Sequence, residues 1–212
     1  MAIVLEKGGD THRINLEKKE GKPWDGEIVI NLDWNKGGFL KNLFGSAVDL
    51  DLGCFLELRD GKKHLIDGLQ FSHGRGGGRN QITRQGSYEY APYIWHTGDN
   101  KGVGSASGET ILVNPKGVSQ IKRVIVYTFI YKGVARWSDT NAVVKVKVPG
   151  NEEVVVEMGV QRDRRNFCAI AQLDFGTDNT IAVKKLVTFH DGHKDCDERY
   201  GWGFNYTPGT KD

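Results

Sequence analysis

Along most of this chain apolar residues alternate with polar ones at a period of two, the spacing that lays one face of a strand on a core and gives the other to solvent. Ile14 and Leu16 open the pattern, and Ile28, Ile30 and Leu32 continue it. Val48 to Leu58 extends it into a longer strand whose phase shifts near Gly53, where a bulge is predicted. Arg123 to Tyr131 is a nearly unbroken β-branched and aromatic run, which predicts a central strand covered on both faces. Val143, Val144, Val146 and Val148 lead into a Pro149-Gly150-Asn151 turn, and Val154 to Met158 returns from it as the second arm of a hairpin. Phe167 to Leu173 and Ile181 to Phe189 predict another hairpin around Gly176, Asp178 and Asn179. Asn114 to Gln120 predicts a short helical turn. Strands of this length and spacing specify an all-β fold, a two-sheet β-sandwich of mostly antiparallel strands.

The stretch from Asp60 to Tyr93 departs from the alternation. It holds HGRGGGRN at His73 to Asn80 and then Arg84, Tyr88, Tyr90 and Tyr93, and is predicted to be a long mobile loop around 60–93. Arg75 and Arg79, with glycine between them and tyrosines nearby, offer one functional alternative, a nucleic-acid-binding module built on loop 73–80. Against it stand the small number of arginines, the acids Asp67 and Glu89, and a net charge of only +2 from 29 basic and 27 acidic side chains. Length changes the picture little, since 212 residues suit a single domain spanning 1–212 with a sizeable core. No apolar run reaches the roughly 18 residues of a membrane span, and MAIVLEKGGD becomes charged too early for a signal peptide, so the chain is expected in the cytoplasm. Cys54, Cys168 and Cys196 are far apart, which fits neither a disulfide framework nor a CxxC zinc site. The first two sit among apolar residues, whereas Cys196, in DGHKDCDER, is expected at the surface and unreactive beside Asp195 and Asp197.

Oxygen ligands concentrate in two segments. In VDLDLG, Asp49 and Asp51 are two apart, so an extended strand projects both from one face while Val48, Leu50 and Leu52 fill the other. In WHTGDNKGVGSASGE, the oxygens of Asp99, Asn100 and Glu109 are separated by glycines that let the backbone turn tightly. Together they could hold a hard divalent cation. Calcium, which takes about six to eight oxygens in a forgiving geometry, suits the set better than magnesium. The ordinary alternative is an Asn/Gly turn beside a half-exposed strand. Imidazole is a poor calcium ligand, so His96 is expected to order the GDN turn by hydrogen bonding.

These segments resemble the TerD family of tellurium-resistance and stress proteins. Beyond VDLDLG and HTGDNKGVGSASGE, the tracts at Ile121 to Gly150, Cys168 to Asp174 and Phe189 to Tyr206, the last ending in GWGF, are similar to the TerA-like branch. The resemblance implies a calcium-binding β-sandwich, associated with stress response and tellurite tolerance, with no enzymatic activity and a role as scaffold or sensor. By position it carries metal-ligating roles onto Asp49, Asp51, Asp99, Asn100 and Glu109. It also places the WSDTNAV turn near the ion, where Asp139 or Asn141 completes the shell. The expected partners are the calcium ion and other stress-response proteins, with the membrane surface as one meeting place and nucleic acid disfavoured. One departure is clear: Ser107 and Gly108 stand where family members carry further aspartates, which lowers the expected number or affinity of bound ions.

An enzymatic alternative rests on His190 and His193 in HDGHKDCD, whose imidazoles and neighbouring acids could serve a metal-dependent hydrolase. Their spacing fits no zinc hydrolase pattern, and the Asp-Gly step predicts a surface turn with His190 closing a strand. Nor is there a GxSxG elbow or a P-loop. Trp202 and Phe204 are expected as core or edge-strand aromatics.

Overall fold

The alternating residues pair into two sheets. A computed structural model describes residues 1–16, 25–34, 49–98, 108–132, 137–159 and 161–207. In chain order its strands are β1 (Ala2–Leu5), β2 (Thr11–Asn15), β3 (Ile28–Asp33), β4 (Asp49–Leu58), β5 (Lys63–Asp67), β6 (Gly86–Ser87), β7 (Ile94–His96), β8 (Glu109–Val113), β9 (Ile121–Lys132), β10 (Val143–Lys147), β11 (Glu153–Glu157), β12 (Phe167–Phe175) and β13 (Thr180–His190). Two helices, α1 (Gly68–Phe71) and α2 (His193–Tyr200), complete the set. One sheet runs β1-β11-β10-β3-β8-β7-β6 and the other β2-β13-β12-β9-β4-β5. The β1–β11 pair is parallel and the other pairs are antiparallel.

The inward set of each strand meets the inward set of the other sheet. Ile28, Ile30 and Leu32 of β3, Ile111 and Val113 of β8, and Val144 and Val146 of β10 share one core with Leu50, Leu52, Cys54 and Leu56 of β4 and Val124 and Val126 of β9. Each such side chain, fully withdrawn from water, contributes about 1.5–3 kcal/mol before the entropy of ordering is subtracted. The run at β9 lacks alternation because its second face is also covered. Ile125, Tyr127 and Phe129 lie under a second cluster with Phe55, Cys196 and Trp202. That cover is α2 and the tail after it, so the six-stranded sheet is apolar on both sides. Trp202 stacks on Phe55 with ring centroids 5.5 Å apart, which makes it the core aromatic expected.

Both predicted hairpins form, β10–β11 through the Pro149-Gly150-Asn151 turn and β12–β13. The helical turn within 114–120 is a 3-10 turn at Pro115–Gly117, capped by Asn114 Oδ1 accepting from Lys116 N at 2.9 Å. Four local expectations change. Gly53 is not a bulge: β4 pairs through it in register with Tyr127, and the irregularities lie between Asp49 and Leu50 and between Glu57 and Leu58. A Cβ at Gly53 would come within 2.4 Å of the Tyr127 ring, so the glycine makes room for that side chain. The 60–93 stretch carries β5, α1 and β6, and its glycine turn is closed by Gln85 Oε1 accepting from Gly77 N at 3.0 Å. His193 to Tyr200 is a helix and not a surface turn. Gly192, at φ 112°, and Gly201, at φ 71°, bracket it with backbone that side-chain-bearing residues rarely adopt. Cys196, on that helix, is fully buried, because the helix turns it toward the sheet. Among the described residues no helix is long and apolar enough to cross a membrane.

Candidate functional site

Strand register gathers most of the oxygen donors at one end of the sandwich. β4 begins at Asp49, opposite Lys132 at the close of β9. β8 begins at Glu109, opposite Leu32, and the neighbouring Asp33 faces Val143, two residues after Asn141. At this end the pairing of β5 on β4 stops at Gly53, which leaves the edge groups of Leu52 to be satisfied from elsewhere. The other sheet supplies them. Glu109 Oε2 accepts from Leu52 N at 2.6 Å, and His96 Nε2 lies 3.1 Å from Leu52 O. Gly98 N donates to His96 Nδ1 at 3.0 Å, which puts the ring proton on Nε2 and makes it the donor to Leu52 O. Thus His96 orders Gly98, the first residue of the GDN turn, and also ties β7 to β4.

Glu109 and His96 are 2% and 0% exposed, with Oε2 and Nε2 3.6 Å apart. No lysine or arginine pairs with Glu109 among the described residues, and its Oε1 accepts no hydrogen bond from them. A buried carboxylate so placed is costly without a compensating cation, so its donor chemistry fits an oxygen-seeking metal. Asp51, the sequence neighbour of Leu52, is buried, while Asp49 is exposed at the start of β4. Asn141 is exposed, with φ 46°, in a turn held by Thr140 Oγ1, which donates to Trp137 O at 2.8 Å. Asp99 and Asn100 lie outside the described residues, as does the Asp139 side chain. Among the described residues no three His, Cys, Asp or Glu side chains converge on one point. Gly108 has a steric reason to be glycine, since a Cβ there would sit 1.4 Å from Leu32 O. The backbone of β3 occupies the place where a family aspartate would begin.

The two other sets of residues raised by the sequence are engaged within the fold. His193 Nε2 bonds Asp67 Oδ2 at 2.7 Å, while His190 Nε2 bonds Thr188 Oγ1 at 2.9 Å, so the histidines serve different partners. Arg79 pairs with Glu27 and lies over the Tyr88 ring, 3.8 Å from its centroid. Arg75 donates to Leu69 O at 2.9 Å and to Ser72 O at 3.0 Å. A constellation that sequence reasoning did not foresee centres on Asp67. Its Oδ1 caps α1 by accepting from Leu69 N and Gln70 N, and its Oδ2 also accepts from Tyr127 Oη at 2.5 Å. The Asp-Gly pair at a strand end was the available signal for the cap, but nothing local pointed to Tyr127 or His193.

Comparison with known proteins bears on what this arrangement serves. No family model matches the chain. It is similar to the tellurium resistance protein TerA of an Alcaligenes species, at 34% identity over 204 residues, which cover 93% of this chain and 56% of that protein. The chain thus spans about half the length of the curated relative it matches. Among solved structures, the protein of unknown function SAV2460 superposes with a TM-score of 0.50 at 12% identity, over 79% of this chain and 91% of that one, a likeness of fold alone. SCO6318 of Streptomyces coelicolor A3(2), described as a homologue of the telluride resistance protein TerD, gives 0.49 at 14% identity, over 82% of this chain and 95% of its own.

Proposed function

The chain belongs to the TerD family of tellurium-resistance proteins, on its TerA-like branch, and from that premise we propose that it is a calcium-binding, non-enzymatic stress-response protein linked to tellurite tolerance. The observation that carries the metal reading is Glu109, a buried carboxylate with no lysine or arginine partner among the described residues, at the end of the sandwich where Asp49, Asp51 and the Asn141 turn also lie. Asp49, Asp51, Asp99, Asn100, Glu109 and Asn141 are the residues that would hold the ion. When bound, calcium would neutralise their mutual repulsion and fasten the 99–107 segment to β4. His96 supports that arrangement as a hydrogen-bonding residue and not as a ligand.

A non-catalytic role is supported by the engagement of both histidines in structural bonds and by the family's naming for resistance. The protein would act in the cytoplasm as a scaffold or sensor, its ordered metal end presenting a surface to other stress-response proteins. Calorimetric titration with calcium tests the reading. Expected are measurable heat and, at about 100 times Kd, a stabilisation of about 2.7 kcal/mol. For a chain of this size that raises Tm by roughly 5–10 °C. Both effects should fall away in Asp99→Ala and in Asp49→Ala, the latter at an exposed position. A chain that gives no heat with millimolar calcium, or variants that respond like the parent, would sink the proposal.

A further inference from the structure

Edge strand β5, the 70–86 segment and the C-terminal tail enclose a cleft of about 720 Å³. Its charge is one-sided. Lys63, Arg75 and Arg84 line it together with His64, and among the described residues no aspartate or glutamate does. Several basic side chains elsewhere are matched to acids, Arg79 with Glu27, Lys116 with Glu89, Lys122 and Arg123 with Glu57, Arg165 with Asp163, while Arg59 and Lys185 donate to backbone carbonyls. The three cleft cations have no such partner among the described residues. Lys63 Nζ donates to Gly201 O at 3.1 Å and Trp202 O at 2.6 Å, and Arg75 is held by Leu69 O and Ser72 O. Neutral carbonyls fix where these groups sit without cancelling their charge. Among the described residues the Arg84 guanidinium makes no hydrogen bond, and the buried His64 Nε2 finds no acceptor or donor.

The remaining wall mixes apolar and aromatic side chains with the polar Gln70, Thr83, Asn205 and Thr207. Phe204 and Tyr206 line it, and Tyr206 is anchored by its hydroxyl donating to Asp197 Oδ2 at 2.9 Å, so the ring is positioned before anything binds. A volume of this size lies in the usual range for small-molecule sites. Cations gathered on one side of a cleft without acids concentrate positive potential there, and guanidinium groups match phosphate oxygens in a fork geometry. Ring faces next to them suit a planar organic body.

We propose that the cleft between β5, the 70–86 segment and the C-terminal tail binds a small organic phosphate carrying a planar ring, the class to which nucleotides belong. The site is separate from the calcium reading and stands or falls without it. Its charge is directed at the phosphate groups by Arg84, Arg75 and Lys63, and Phe204 receives the ring.

Calorimetric titration of the full chain with ADP and with pyrophosphate, in a chelating buffer that keeps divalent metals away, tests this. ADP is expected to bind more tightly than pyrophosphate, and both should weaken about tenfold or more in Arg84→Ala and as salt is raised. Arg84 is exposed and its side chain bonds none of the described residues, so that variant should melt like the parent. Phe204→Ala should weaken ADP while leaving pyrophosphate unchanged. Arg13→Ala, at a distant exposed ion pair with Asp178, should leave both unchanged. No heat at millimolar ADP, or undiminished binding by Arg84→Ala, overturns the proposal. Pyrophosphate binding as tightly as ADP overturns the ring-bearing class. A single-stranded RNA that binds through Arg84 while ADP does not assigns the surface to a macromolecule and overturns it equally.

Discussion

Asp67 concentrates the physics of this protein in one side chain. It is fully buried, and burial alone would push its carboxyl up. The bond from His193 and that residue's charge, then Tyr127 and the Gln70 amide, pull it the other way and leave it below its ordinary value. The same contact raises Tyr127, mainly through burial and then through the neighbouring carboxylate. Because the folded pKa lies below the unfolded one, about 3.9, the stabilisation is fully present above that pH and is lost as pH falls through the folded value. Urea midpoints measured against pH should therefore decline below about pH 4, with a shallower decline in Asp67→Asn. At neutral pH the same substitution should cost about 2–4 kcal/mol, since four donors lose a charged acceptor and one of the amide's own polar groups is left facing a donor. An unchanged pH profile in Asp67→Asn would remove Asp67 as the source.

At the scale of elements, β3, β4 and β8 meet so closely at the candidate metal end that side-chain chemistry there is limited by backbone. Leu52 is satisfied by Glu109 and His96 because β5 stops short, and Gly108 lets β8 begin against the Leu32 carbonyl. From sequence, Gly108 reads as a missing carboxylate that could be restored to strengthen metal binding. The structure predicts the reverse. Gly108→Asp must displace β3 or β8, and should lower stability by about 3 kcal/mol or more by denaturant melting. Calcium affinity should not improve. A Gly108→Asp protein that folds normally and binds calcium more tightly would show that β8 can begin elsewhere. Gly53 illustrates the same limit on β4, where the Tyr127 ring occupies the space a Cβ would need.

As a whole the molecule has two apolar layers, one between the sheets and one between the six-stranded sheet and the α2 cover, and the cysteines report on both. Cys54 and Cys168 lie in the first and Cys196 in the second. Burial raises all three thiols, with Asp195 and Asp197 adding to the effect at Cys196 and Asp67 at Cys54. The native protein should therefore leave an aromatic disulfide reagent unconsumed at neutral pH, and release three equivalents only in denaturant. Prompt reaction of one thiol would mean that the α2 layer opens independently of the sandwich. The local hydrophobic pattern determined by itself that the fold is all-β, that β9, where alternation lapses, is covered on both sides, and where the two hairpins turn. Those are local properties, because side-chain alternation follows from strand geometry alone. Tertiary structure alone decided that Cys196 is buried, that His193 answers Asp67 across 126 positions, that Gly53 serves Tyr127, and that Lys63, Arg75 and Arg84 share one cleft with no acid among its described residues. Alternation names the face a residue takes, but the group it meets there comes from another strand or from the tail, and only packing brings them together.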